Sequence, residues 1–332
     1  MQEKLLEILE CPKCHGTLNC SRETIENEEI IAGRLSCQGC SEIYPIENGI
    51  PRFVERGNYA SSFGYQWNIF KREQLDSYNG TTLSADRLYS ETGWSKDWLK
   101  GKLILDAGCG AGRFLDVVSQ TEAEVVGIDI STAIDAAKDS LADRKNLHFV
   151  QASIYDLPFR HEVFDGCYCI GVVQHTPEPS ATFPSLFRVL KQGGKFATSI
   201  YERKPWQLLY SKYWYRPFTK KMSKEKLLGA IQKIMPVAFP VTNVLFRIPV
   251  LGRLFWHAIP VANYVHEKAL TSEQRYNWAV LDTFDMLSPQ YDQPQTQAEV
   301  EQSLKQSGAV EIKRLKTAGL NIIGQKGTTK AN

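Results

Sequence analysis

The chain has 332 residues, 43% of them hydrophobic and 23% charged, with a formal net charge of +2. These values exclude a disordered, collagenous or repeat-fibre protein and give no global electrostatic case for nucleic acid. At roughly 150 residues per domain, the length predicts about two domains. Met1–Glu10 interleaves charges with Leu5, Leu6, Ile8 and Leu9 and lacks the basic and long apolar regions of a secretion signal. No run reaches the ~20 uncharged apolar residues of a spanning helix. A cytoplasmic protein with reduced thiols is expected.

Eight cysteines punctuate the chain, four of them in two matched knuckles, Cys11-Pro12-Lys13-Cys14 and Cys37-Gln38-Gly39-Cys40. Each Cys-x-x-Cys turn brings two thiolates onto one tetrahedral ion, and two such turns complete a closed four-cysteine zinc shell. The ion is therefore expected to be structural. Cys20 and His15 are spare. Leu9-Glu10-Cys11-Pro12-x-Cys14, Cys37-x-x-Cys40 and Tyr44-Pro45-Ile46-Glu47-Asn48-Gly49-Ile50-Pro51 resemble the Trm112-like zinc-ribbon family over residues 1 to 56. Stand-alone members of that family bind and activate methyltransferases acting on tRNA and translation factors. The resemblance implies related chemistry in the rest of the chain.

Residues 57–100 read as a linker with lid helices. From Leu103 to Leu105 a short apolar run predicts a buried parallel strand. Gly108, Gly110 and Gly112 follow and open a helix carrying Phe114, Leu115, Val117 and Val118. Glycines there allow a sharp turn and a close ligand approach. A second strand, Val125–Ile128, ends in Asp129, placed to accept ribose hydroxyls. Leu105-Asp106-x-Gly108-Cys109-Gly110-x-Gly112 resembles motif I of class I S-adenosylmethionine (SAM)-dependent methyltransferases rather than the G-x-G-x-x-G of dinucleotide folds. Strands at 147–152, 164–170 and 196–200, a helix at 298–306 and a final hairpin at 310–324 agree with that family.

The resemblance implies an α/β, Rossmann-like, seven-stranded and mostly parallel sheet with a C-terminal antiparallel strand. To this are added the N-terminal ribbon and a helical insertion at 201–293 within a catalytic domain of 101–332. It places Gly108, Gly110 and Gly112 around the methionine moiety and ribose, Asp129 on the ribose, and Asp106 beneath the loop. The third-strand acid of the family is replaced by Ser153, whose hydroxyl can bond adenine N6 while Ile154 packs beside the ring. Arg87, in a segment where relatives carry a lid, can pair with the SAM carboxylate or pin the ribbon to the core.

After the fourth strand, Ile170-Gly171-Val172-Val173-Gln174-His175-Thr176-Pro177 is expected to line the methyl-transfer pocket. His175 is the candidate general base because an imidazole titrates near working pH; ordering the loop is its other reading. No Asn/Asp-Pro-Pro-Tyr/Phe motif follows that strand, which disfavours planar amide or exocyclic amino nitrogens as acceptors. Cys167 and Cys169 read as packing residues.

Residues 203–233 hold nine basic side chains, one acid (Glu225) and six interleaved aromatics. The next thirty residues are apolar, with Pro236, Pro240, Pro249 and Pro260 predicting short lid helices rather than one long one. Such a surface suits an anionic or lipid-linked acceptor, an anionic membrane, or RNA; a packed cap or homodimer face is the plainer reading. Leu281–Asp285 and Ser288–Asp292 read as a turn-rich return to the sheet, with Asp282, Asp285 and Tyr291 near the acceptor. The expectation is methyl transfer from SAM to an O, N or C nucleophile of a small biosynthetic intermediate. A tRNA or translation-protein methyltransferase and a non-catalytic SAM-binding regulator are the alternatives.

Overall fold

The computed structural model describes residues 1–55 and 57–328; the ribbon boundary drawn at 56 lies outside them. The first unit is an antiparallel sheet of four strands in the order β1 (Leu18–Glu26), β2 (Glu29–Cys37), β3 (Ile43–Glu47) and β4 (Ile50–Pro51). Asn27 and Glu28 at φ +48° and +66° turn β1 into β2, a two-residue connection whose twist matches the strands. Its inner residues Leu5, Leu9, Leu35 and Ile46 share one core with Leu157, Phe159 and Phe164 of the large sheet's layer.

Four helices then cross the chain: α1 (Ser61–Ile69), α2 (Asp76–Asn79), α3 (Leu83–Thr92) and α4 (Lys96–Leu99). Beyond them β5 (Leu103–Ala107), α5 (Arg113–Val118), β6 (Glu124–Asp129), α6 (Ala133–Leu141), β7 (Leu147–Gln151), β8 (Phe164–Ile170), α7 (Thr182–Val189) and β9 (Leu190–Ile200) alternate as a doubly wound unit. The sheet closes after a long insertion with α12 (Gln297–Gln306), β10 (Ala309–Arg314) and β11 (Leu320–Lys326). Strand order is β10-β11-β9-β8-β5-β6-β7, with β11 antiparallel to both neighbours and the others parallel. β5 and β7 are almost wholly buried, which is why β5 opens with the continuous apolar run Leu103–Leu105.

The insertion contains α8 (Lys212–Thr219), α9 (Lys224–Leu245), α10 (Leu251–Ala258) and α11 (Ser272–Leu287). Two expectations are corrected here. First, α9 is a 22-residue helix that runs through Pro236 and Pro240. Gln232 and Pro236, four residues before each proline, are exposed, so water can take the carbonyls left without a donor. By length and composition α9 is apolar enough to cross a membrane, and most of its apolar stretch is not buried as that of a core helix would be. Counting uncharged runs missed it, because Lys224, Glu225, Lys226 and Lys233 interrupt the apolar stretch.

Second, Leu281–Asp285 is not a turn but part of α11. That helix starts at a capping box made by Thr271 and Gln274. It buries Ala279, Val280, Phe284 and Leu287 against Leu227, Leu228, Ile231 and Met235 of α9.

Candidate active site and metal centre

In the ribbon, the four knuckle cysteines bring their Sγ atoms within 4.8 Å of one another. The spacings are 3.3 Å for Cys14–Cys37, 3.4 Å for Cys14–Cys40 and 3.7 Å for Cys11–Cys40. A tetrahedral zinc at roughly 2.3 Å from each sulfur requires sulfurs about 3.8 Å apart, so the set fits zinc with small adjustment. Tyr44 OH lies 3.3 Å from Cys11 Sγ and the Gly39 N–H donates to Cys37 Sγ at 3.3 Å, polar support for thiolates. A Cβ on Gly16 would stand 3.1 Å from Cys37 Sγ, which explains a glycine in that knuckle.

At the C-terminal ends of β5, β6, β8 and β9 lies a cavity of about 1030 Å³. That is at the upper end of the roughly 300–1,000 Å³ of small-molecule sites, so it can hold a cofactor beside an acceptor. Arg87, Gly108, Gly110, Asp129, Ile154, Gly171 and His175 line it. Asp106, Gly112 and Ser153 do not line it, each for a visible reason. Asp106 is buried under the loop and accepts a hydrogen bond from Tyr168 OH at 3.1 Å, and burial pushes its carboxyl up to about 8. Gly112 faces α6: a Cβ there would lie 2.8 Å from Leu141 Cδ1. The Ser153 hydroxyl accepts from the Tyr155 N–H at 3.1 Å, capping a turn.

Part of the cavity lining is shaped for a nucleoside. Asp129 Oδ1 accepts from the Ser131 N–H (2.8 Å) and hydroxyl (2.6 Å), and Oδ2 from the Gly110 N–H (3.0 Å). A carboxylate offers about four acceptor positions, so this arrangement leaves Oδ2 one of them for a ligand hydroxyl. Trp67 on α1 closes over the loop, 3.2 Å from where a Gly110 Cβ would stand. Arg113, the first residue of α5, donates to Ser84 Oγ and Gln74 Oε1 (both 3.0 Å) and has no carboxylate within salt-bridge distance among the described residues. Burial, with Arg87 nearby, lowers its guanidinium to about 9. Arg87 itself pairs with Glu91 at 3.0 Å and reaches the Gly171 turn. The donor set therefore fits SAM: a fixed acid, a glycine turn and two arginines for a carboxylate.

The rest of the lining, with Asp282 close to both arginines, is acidic. His175 is 8% exposed, and its Nδ1 donates to the Tyr291 carbonyl at 3.0 Å. A carbonyl only accepts, so Nε2 is the unprotonated nitrogen of the neutral ring. Burial lowers the His175 pKa, opposed by Asp285 and Asp292. Phe63 and Tyr201 pack on either side, with ring centroids at 5.1 and 5.5 Å. Asp282 and Asp285, one turn apart on α11, line the cavity as expected; Tyr291 contributes its carbonyl rather than its ring. Enclosure by protein raises the Asp282 carboxyl to about 7 and also raises Asp285. Asp292 is ion-paired with Lys212 at 2.7 Å.

Arg113, Glu91, Lys212 and Asp292 were missed as cavity residues. Arg113 alone had a local signal, following the last motif glycine directly.

Residues 105–198 match the family described as Methyltransferase domain, and residues 2–49 match Trm112p-like protein. The ubiquinone biosynthesis O-methyltransferase of Pseudomonas fluorescens (strain Pf0-1) is 33% identical over 119 residues, 34% of this chain and 50% of that protein. Sterol 24-C-methyltransferase ERG6B of Gibberella zeae is 36% identical over 109 residues, 31% of this chain and 28% of that protein. The chain thus spans half or less of the length of these curated relatives. Among solved structures, a chain of the complex between the Haloferax volcanii Trm112 methyltransferase activator and a methyltransferase is similar at TM-score 0.44 and 15% identity, covering 80% of this chain and 98% of that one. Magnesium protoporphyrin IX methyltransferase from Synechocystis PCC 6803 is similar at TM-score 0.38 and 16% identity, covering 80% and 84%. The chain carries a class I SAM-dependent methyltransferase domain joined to a Trm112-like ribbon.

Proposed function

We propose that this chain, a Trm112-like ribbon fused to a methyltransferase domain, transfers the methyl group of SAM to a proton-bearing nucleophile of a small biosynthetic intermediate. The observation that carries the reading is one cavity lined both by Asp129 with the glycine loop and by His175. SAM supplies an electrophilic methyl group on a sulfonium, with a neutral thioether as leaving group. Asp129, Gly108 and Gly110 would hold the nucleoside, and Arg87 and Arg113 the carboxylate. Holding both reactants in line does most of the work. His175 Nε2 accepts the acceptor's proton, and Asp285 and Asp292 favour the imidazolium that results.

Asp282, Asp285 and Asp292 in the lining favour an acceptor that is uncharged where it reacts. The O- and C-methyltransferase names of the relatives support a small acceptor. Isotope-labelled SAM incubated with separated extract fractions tests the reading. Label in the small-molecule fraction is expected. Label confined to RNA or protein would overturn it in favour of a macromolecular acceptor. No transfer by protein that still binds SAM would leave a regulator without turnover.

A further inference from the structure

α9 carries two apolar stripes where a water-exposed helix has one. Leu227, Ile231 and Met235 face α11. Beside that stripe, about a third of a turn round the helix, Ile234, Val237, Val241 and Val244 are 61, 68, 47 and 64% exposed. The surface continues onto neighbouring segments: Leu208, Phe218 and Val250 are 74% exposed or more, and Leu254 is 64% exposed. A soluble surface rarely gathers so many large apolar side chains in one region, and such a patch marks an interface.

The charge around the patch says what covers it. Residues 203–260 hold eleven Lys and Arg against the single acid Glu225, which leaves the rest of this +2 chain at −8. Lys220, Lys221, Lys226, Lys233, Arg247 and Arg253 are all exposed. Trp206, Trp214 and Trp256, half or more exposed, add amphipathic rings of the kind that sit at headgroup level. A second copy of this chain would bring a like-charged face against it. An anionic bilayer offers both an apolar layer and opposite charge.

We propose that the insertion docks flat on an anionic membrane through α8, α9 and α10, with α9 lying in the interface. Spanning is excluded, because it would strip Leu227, Ile231 and Met235 from Phe284 and carry Asp282 and Asp285 off the cavity wall. Trp256 belongs both to the exposed patch and to the cavity lining, beside Tyr210 and Tyr213. Trp256 therefore links the docked face to the cavity lining, an arrangement that suits an acceptor whose apolar tail stays in the bilayer. This delivery step rests on the methyl-transfer reading; the docking does not.

The test is co-sedimentation of the full chain with vesicles of phosphatidylcholine alone and of phosphatidylcholine with phosphatidylglycerol. Binding should be at least tenfold stronger to the anionic vesicles and fall with salt. V237D/V241D and, separately, K220E/K221E should each weaken it about tenfold or more, with circular dichroism and SAM affinity unchanged. Equal binding to both vesicle types, none to either, or charge-reversed and stripe variants that bind like the parent would overturn the docking. A concentration-dependent dimer that V237D/V241D dissociates, without vesicle binding, would overturn it in favour of a second copy. SAM affinity and label transfer to a soluble extract fraction, followed in the same variants, report separately on methyl transfer.

Discussion

Gly108 stands at φ +88° where β5 gives way to the motif loop, and an alanine there meets two obstacles. The left-handed backbone costs an L-residue about 1–2 kcal/mol. A Cβ would also come within 2.7 Å of Val172 Cγ1 and closer still to Cγ2, an overlap of the class that costs about 1–3 kcal/mol. G108A is thus expected to lose about 2–5 kcal/mol, set against about 5–15 kcal/mol of total stability for a natural protein. V172A removes both offending carbons from a half-buried side chain and should cost about 1–2 kcal/mol alone. In the double variant the two closest contacts are gone, while the Val172 Cβ at 3.1 Å and the backbone strain remain, so the two changes should couple favourably by about 1–3 kcal/mol.

Urea midpoints of the four proteins, taken with unchanged slopes, measure that coupling. Additive effects would refute the steric account and leave only backbone conformation as the reason for the glycine. SAM titration on the same proteins adds a second reading. If stability recovers in the double variant but affinity does not, the close approach of ligand to Gly108 is what alanine spoils.

Metal analysis should find one zinc per chain; C37S should lose it and lower the thermal midpoint, and a midpoint that stays unchanged would remove the ion's structural role. D129A should weaken SAM binding roughly ten- to a hundredfold, the loss of a charge-assisted hydrogen bond, in calorimetric titration; unaltered affinity defeats the cofactor placement. H175Q should cut turnover by about 10²–10⁴-fold with SAM affinity kept. Because burial depresses the His175 pKa, the acidic limb of the parent's kcat profile should inflect below the ordinary 6.5; a profile that H175Q leaves in place refutes the assignment. Asp106, ordinarily at 3.8 and held at about 8, keeps a proton in the folded state that the unfolded chain has lost. Stability should therefore fall as pH rises from about 4 to 8 and level off above that; D106N should flatten the dependence in urea titrations, and parallel curves would refute it.

The parallel strands were legible because each holds a short, mainly apolar run, as at Leu103–Leu105 and Val125–Ile128, closed by a glycine turn or an acid. The zinc ligands were legible for a similar reason: both pairs are local. The surroundings of His175 were not. Gln66 Nε2 meets Asp285 across 219 residues of chain, and His175 meets Tyr291 across 116; no local pattern signals either contact. Asp282 and Asp285 read as turn formers because their helix is held by its contact with α9 rather than by composition. Pro236 and Pro240 misled in the opposite direction, since a helix with an exposed side can hand the lost carbonyl bonds to water. Ser153 was placed by its position in the resemblance, and its hydroxyl also accepts from the Tyr155 N–H in the turn that follows β7.

The ribbon's position bears on whether it is a detachable module. β7 is the outer strand of the seven-stranded sheet, an edge whose unpaired groups need a cover. The ribbon supplies one: the Phe53 N–H donates to the Gln151 carbonyl at 2.8 Å. Arg52, 5% exposed, bonds Gln151 Oε1 at 2.8 Å and Asp135 of α6 at 2.5 Å. Leu9 bridges to Phe159, and Glu10 pairs with Arg188 at 2.6 Å. β7 leads directly to Ala152 and Ile154 in the cavity wall. Releasing the ribbon would expose Leu5, Leu9, Phe159 and Phe164 to water and free the strand that ends at the cofactor side. Its inward face is therefore committed to the methyltransferase domain. Any partner the ribbon recruits must meet the outward face, where β1 is exposed along most of its length.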